Sequence, residues 1–135
     1  MEEEGRLSFW LYPLFGVYLL FSQGTATFYG PYFTAGMTTA SGEAYSPAAK
    51  GVAVSLENYR RLKGRWLILE NLETEQSVTV KVFDTCPGCS NTMFDLPDRT
   101  WELLGRPLSA GIVPVKVWLV QDFRVRRLDL LLPIW

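Results

Sequence analysis

The chain alternates between short apolar runs and polar turns, and the spacing of the runs predicts strands. Gly24 to Gly30 (GTATFYG) alternates small and aromatic residues and ends on a turn glycine. Residues 31–50 are rich in Gly, Pro, Ser and Thr and read as a long functional loop. GVAVS (51–55) and RWLILE (65–70) are short apolar strands, the second followed by the polar turn NLETEQ. SVTVKVF (77–83) alternates cleanly, with Val78, Val80 and Val82 on one face. DTCPGCSN (84–91) is a tight loop and MFDL (93–96) another short strand. Asp98 to Leu104 reads as a short helix stopped by Gly105, with Trp101 and Leu104 facing the core. Residues 111–120 (GIVPVKVWLV) form the last long strand. Short strands separated by turns, with one small helix, predict a mainly β barrel.

The start of the chain follows a different pattern. Phe9 to Phe21 runs thirteen residues without a charge, too short for an ordinary membrane span and suited to the core of an export signal. Ser22 and Gly24 supply small residues ahead of a cleavage before Thr25. Glu2, Glu3 and Glu4 outnumber Arg6, whereas export signals usually begin basic, so a buried N-terminal segment remains the alternative. The expected organisation is a signal peptide or membrane anchor over 1–24, a barrel domain over 25–121, and a basic then apolar tail over 122–135. In that arrangement residues 9–21 form an apolar helix with few contacts to the barrel, and only an uncleaved N-terminus touches a membrane.

With 135 residues the chain makes one domain. A net charge of −1 gives no basic face for nucleic acid. Histidine is absent, which excludes serine–histidine and cysteine–histidine mechanisms. Acid–base chemistry falls to carboxylates. Asp84 directly follows an apolar strand, a setting that disfavours the charged form and raises the proton affinity, as a general acid requires. The plainer role for Asp84 is an Asx cap on its turn. Asp95, between Phe94 and Leu96, is either a hydrogen-bonded site residue or a barrel brace. Glu43 lies among small polar residues able to approach a sugar, or is a solvated loop charge. The reading places Glu43, Asp84 and Asp95 on one open face.

Cys86 and Cys89 enclose Pro-Gly. A redox motif of this spacing requires a strand–loop–helix setting, and the pattern here is strand–turn–strand. Four zinc ligands cannot be assembled from two cysteines and no histidine, so no metal is expected. In an exported protein the pair is expected as a short-range disulfide that stiffens the loop beside Asp84. Phe28, Tyr29, Tyr32 and Phe33 cluster around Gly30 and Pro31. Phe28 is expected in the core, with Tyr29 or Tyr32 free to stack on a sugar face.

At these residues the chain resembles the rare lipoprotein A family, and in its Cys-Pro-Gly-Cys loop the related expansins. The resemblance rests on five segments in order: Gly24 to Gly30, Thr39-Ala40-Ser41-Gly42-Glu43, Val82 to Pro87, Phe94-Asp95-Leu96-Pro97 with the helix after it, and Gly111 to Val117. It implies a six-stranded double-psi β-barrel with one or two short helices. It also implies an exported, monomeric protein that acts on peptidoglycan or another wall polysaccharide without a cofactor. By resemblance Asp84 and Glu43 are the catalytic candidates of a lytic transglycosylase; Tyr29, Tyr32, Ser41 and Asp95 are the residues expected to bind the glycan. Active members carry a histidine shortly after the Thr-Ala-Ser-Gly-Glu loop. Here the stretch reads AAKGVAVS, with Lys50 or Ser55 in that space. A non-catalytic, expansin-like wall-binding module is therefore the second reading.

Overall fold

A computed structural model of the chain describes residues 16–121. Six strands close into a barrel: β1 (Val17–Phe28), β2 (Gly51–Val54), β3 (Trp66–Asn71), β4 (Ser77–Thr85), β5 (Met93–Leu96) and β6 (Val113–Val120). Their order around the barrel is β1, β5, β2, β4, β3, β6 and back to β1. The β1–β5 and β2–β4 pairs are parallel, and the remaining pairs are antiparallel. This is the expected mainly β, double-psi arrangement. Two short helices accompany it: α1 (Leu56–Leu62) and α2 (Asp98–Glu102).

A barrel of this size is filled by its own side chains. Val52, Val54, Leu67, Leu69, Val80, Val82, Phe94, Leu96, Val113, Val115 and Val117 point inward from the strands and are fully buried. Each contributes roughly 1.5–3 kcal/mol through burial. Trp101 and Leu104 join the core as the pattern predicts, and the Trp101 indole N–H donates to the carbonyl of Ala26 at 3.3 Å. Phe28 packs edge-on against Trp101 at 5.1 Å between ring centroids.

The N-terminal boundary differs from the expectation. Residues 17–24, assigned to the leader and to a helix over 9–21, are strand in the structure, and β1 begins at Val17. Val17, Tyr18 and Leu19 pair antiparallel with Val120, Leu119 and Trp118. The reason is the edge they cover: without them the far side of β6 would present unpaired backbone groups. Gly24 is a packing residue here. It pairs with Val115, and a Cβ on it would stand 2.8 Å from the Thr92 carbonyl oxygen. Cleavage before Thr25 would strip β1 of its pairs with the C-terminal half of β6. Residues 9–15 and the tail over 122–135 lie outside the described residues.

The sequence pattern also missed α1. Ser55 caps it by accepting from the Asn58 N–H at 3.2 Å. Glu57 in its first turn and Arg60 and Arg61 in its last suit the helix dipole.

Candidate functional site

The candidate site is a row of residues running across four strands. Thr27 on β1 is in register with Asp95 on β5, Asp95 with Ala53 on β2, and Ala53 with Asp84 on β4. Their neighbours Ala26, Phe94, Val52 and Val54 belong to the core, so the row occupies the opposite, outer face. Asp84 reaches that face through a bulge. Val52 pairs with Val82 but Ala53 pairs with Asp84, which leaves Phe83 as the extra residue. Plain alternation from Val78, Val80 and Val82 would have turned Asp84 into the core. The bulge re-aims it, and Ala53, itself buried, separates the two carboxylates in the row.

Asp84 is nearly buried, and three donors hold it. Its Oδ1 accepts from the backbone N–H of Ala40 at 2.8 Å and of Thr85 at 2.9 Å, and its Oδ2 accepts from the Tyr29 hydroxyl at 2.8 Å. The Thr85 bond is local turn capping. The other two come from the long loop over 29–50 and fasten it to the barrel. The Ser41 N–H adds a bond to the Phe83 carbonyl at 3.1 Å. Phe83 packs tightly against Gly51, where a Cβ would fall 2.6 Å from the ring.

Tyr29 lies over the row. Burial, followed by its hydrogen bond to Asp84, pushes its phenol far above the ordinary tyrosine range, so it acts as a donor and not as a base. Its ring packs at 5.1 Å on Phe33 and 4.7 Å on Tyr45, and those two meet at 4.9 Å. Asp95 accepts from the Thr27 hydroxyl at 2.7 Å. Burial pushes its carboxyl above the usual range against the pull of that bond, and the negative charges of Asp98 and Asp84 add to the rise. A raised proton affinity at Asp95 was not expected from the sequence.

Glu43 stands at the rim. Its carboxylate accepts from the Ser41 hydroxyl at 3.3 Å and pairs with Lys81 at 3.3 Å. The structure thus brings Asp84, Asp95 and Tyr29 together and sets Ser41 and Glu43 on the bordering loop. Tyr32, on the loop that follows β1, is 92% exposed. Cys86 and Cys89 are joined, with an S–S distance of 2.00 Å, and the Cys86 N–H donates to the Val54 carbonyl at 2.7 Å. Of the residues in the space of the family histidine, Ser55 is buried in capping α1 and donates to Asn91 at 2.6 Å, while Lys50 is exposed. Among the described residues no group of three or more acidic, cysteine or histidine side chains could hold a metal ion.

Sequence reasoning missed three contributors. Thr27 was legible as an outward position of β1. Lys81 was legible as the one charge in an otherwise apolar and Thr-rich alternation. Tyr59 gave no signal, because it lies on the helix that the pattern did not show. Its hydroxyl is shielded from solvent and has no hydrogen-bond partner among the described residues. Burial, then the charges of Asp84 and Glu43, raises its proton affinity.

Solved structures with this fold fall on the same side as the sequence motifs. An expansin of Clavibacter michiganensis in its apo form is 30% identical, with a TM-score of 0.62 over 76% of this chain and 52% of that one. A point mutant of a Clavibacter michiganensis expansin in complex with cellohexaose is 26% identical, with the same score and coverage. The chain thus spans about half the length of those expansins. A Streptomyces papain inhibitor, 22% identical with a TM-score of 0.57 over 81% of this chain and 97% of its own, shares the fold alone. No curated protein sequence matches. The family model described as lytic transglycolase matches residues 22–117. The chain belongs to that family of double-psi β-barrels, of rare lipoprotein A and expansin type.

Proposed function

We propose that the protein acts on cell-wall polysaccharide outside the cytoplasm by holding a glycan strand in the groove floored by Asp84 and Asp95. The observation that carries this reading is the Asp84–Ala53–Asp95 row beneath Tyr29. It offers two carboxylate acceptors for sugar hydroxyls next to an aromatic ring. The similar expansin bound to cellohexaose supports a sugar chain as ligand. The disulfide supports an oxidising compartment. Non-cleaving binding fits the geometry best. Three donors meet Asp84, two on Oδ1 and one on Oδ2, which leaves a lone pair of Oδ2 to accept from a sugar hydroxyl and suits a binding role.

Strand cleavage is the second reading, favoured by Asp95, whose carboxyl burial keeps inclined to hold its proton. In that chemistry the carboxylic acid protonates the glycosidic oxygen as its bond to the anomeric carbon breaks. The sugar's own 6-hydroxyl attacks that carbon, and its proton returns to the carboxylate. No water is consumed and a 1,6-anhydro end remains. Two measurements separate the readings. Sedimentation with insoluble peptidoglycan and with cellulose is expected to retain the protein. Digests of peptidoglycan are expected to show no 1,6-anhydro ends. Anhydro ends abolished by Asp95→Asn would establish cleavage, and failure to sediment with either polymer would remove the glycan reading altogether.

A further inference from the structure

We infer that the glycan path continues past Glu43 onto the outer face of the β3–β4 ladder, where Trp66 is a stacking platform for a further sugar. The inference rests on the glycan reading of the groove and extends it. Trp66 opens β3 in its outward phase, directly before the inward positions Leu67 and Leu69, and is 43% exposed. Its partner across the ladder is Lys81. The Lys81 ammonium lies 6.0 Å from the Trp66 ring centroid and 3.3 Å from the Glu43 carboxylate. Glu43 in turn accepts from Ser41, whose backbone is fixed to Phe83 beside Asp84. An unbroken polar ridge therefore links the groove to an exposed indole.

That combination has the chemistry of pyranose recognition. The C–H face of a sugar stacks on the flat ring, and its equatorial hydroxyls meet the ammonium and carboxylate at the ring's edge. An ammonium carries three donors, and the ion pair with Glu43 leaves Lys81 able to serve a ligand as well. A membrane or a protein partner of apolar character would instead require a contiguous apolar patch, not an indole flanked on its groove side by an ion pair. Lys81 precedes Asp84 by three residues on β4, about 10 Å along the strand. A ligand that touches both Asp84 and Trp66 must therefore exceed a disaccharide, so Trp66 rewards chain length.

The test is calorimetric titration with cello- and chito-oligosaccharides from dimer to hexamer, using the wild type, Trp66→Leu and Trp66→Phe, with thermal melts as the check on folding. The wild type is expected to bind the hexamer more tightly than the dimer. Trp66→Leu is expected to weaken hexamer binding roughly fivefold and leave dimer binding unchanged, while Trp66→Phe, which keeps a planar ring, recovers most of the loss. Equal losses for dimer and hexamer, an unchanged hexamer affinity, or Leu and Phe variants that behave alike would each overturn the Trp66 subsite and leave the groove reading intact. A wild type that binds no oligomer of either series would overturn the groove reading, and the subsite with it.

Discussion

The two sides of this barrel are built differently. On one side β3, β4 and β6 form long antiparallel ladders: Trp66 to Glu70 pair without interruption with β4, and Trp66 to Asn71 with β6. On the other, β2 and β5 are four residues each, meet at the single Ala53–Asp95 pair, and run parallel to β4 and β1. The long ladders bury regular alternating side chains. This second side carries Asp95 on β5, the bulge at Phe83 and Asp84 where the end of β4 pairs with β2, and the loop pinned over them. Backbone pairing holds the first side. Side-chain hydrogen bonds to Asp84 do much of that work on the second, so the residues suited to a ligand are also those that hold the local structure.

The contrast breaks most visibly under substitution in the long ladders. Leu67→Ala deletes fully buried core volume and is expected to cost about 2–5 kcal/mol, lowering the melting temperature by roughly 10 °C or more. Glycan affinity of the fraction still folded should not change. If affinity falls in step at temperatures where the variant is fully folded, the two sides are not separable.

Asp84→Asn acts on the other side. It keeps the size of the residue and an acceptor for Ala40 and Thr85, but weakens charge-assisted bonds, and is expected to cost about 1–2 kcal/mol. The larger change is local. The loop over 29–50 should become more sensitive to limited proteolysis, and glycan binding should be lost. Wild-type cleavage rates in the loop together with wild-type binding would show that Asp84 neither fastens the loop nor meets the ligand.

The same division sets what the sequence could disclose. The alternation of Val78, Val80 and Val82 and the run Val113, Val115, Val117 were legible because one face of each long strand is buried and the other is not. The conjunction of Asp84, Asp95 and Tyr29 was approachable through their positions at strand ends. The Phe83 bulge was not legible: strict alternation assigns Asp84 to the interior, and only pairing with β2 shows the slip. Nor could the strand at 17–24 be separated from a leader, because an apolar run covering a barrel edge and the core of an export signal have the same composition. The raised proton affinity of Asp95 was not legible either, because it depends on how that carboxyl is buried, a tertiary quantity.

Asp95→Asn sharpens the comparison through pH. A carboxyl whose native proton affinity is raised costs nothing below its ordinary value of 3.8, where both folded and unfolded states hold the proton. As pH rises through the raised native value, the folded state must ionise a group that its surroundings disfavour, and stability is lost. Asparagine has no such transition and still accepts from Thr27. The variant should therefore match the wild type near pH 3 and be more stable near pH 7, within the roughly 0.5–2 kcal/mol range of single stabilising substitutions. Melting curves at the two pH values measure the gap. A gap that widens toward acid would reverse the sign and rule out burial as the cause.

The smallest expected effect concerns Tyr59, which belongs to α1 yet answers electrostatically to the carboxylates of the site. A shielded hydroxyl without a partner is costly to keep, about 1–3 kcal/mol when fully desolvated, and folded proteins retain few of them. The ring is only partly buried, so the actual cost is smaller, and replacing tyrosine with phenylalanine removes it without opening a cavity. Tyr59→Phe is expected to leave the melting temperature unchanged or raise it by a degree or two. If the hydroxyl is held ready for a sugar oxygen, glycan affinity should fall by about threefold in the same variant, because a donor that costs stability in the free protein is recovered only when the ligand arrives. Higher stability with undiminished affinity would assign the orphan hydroxyl to packing of α1 against β4 and remove Tyr59 from the ligand's path.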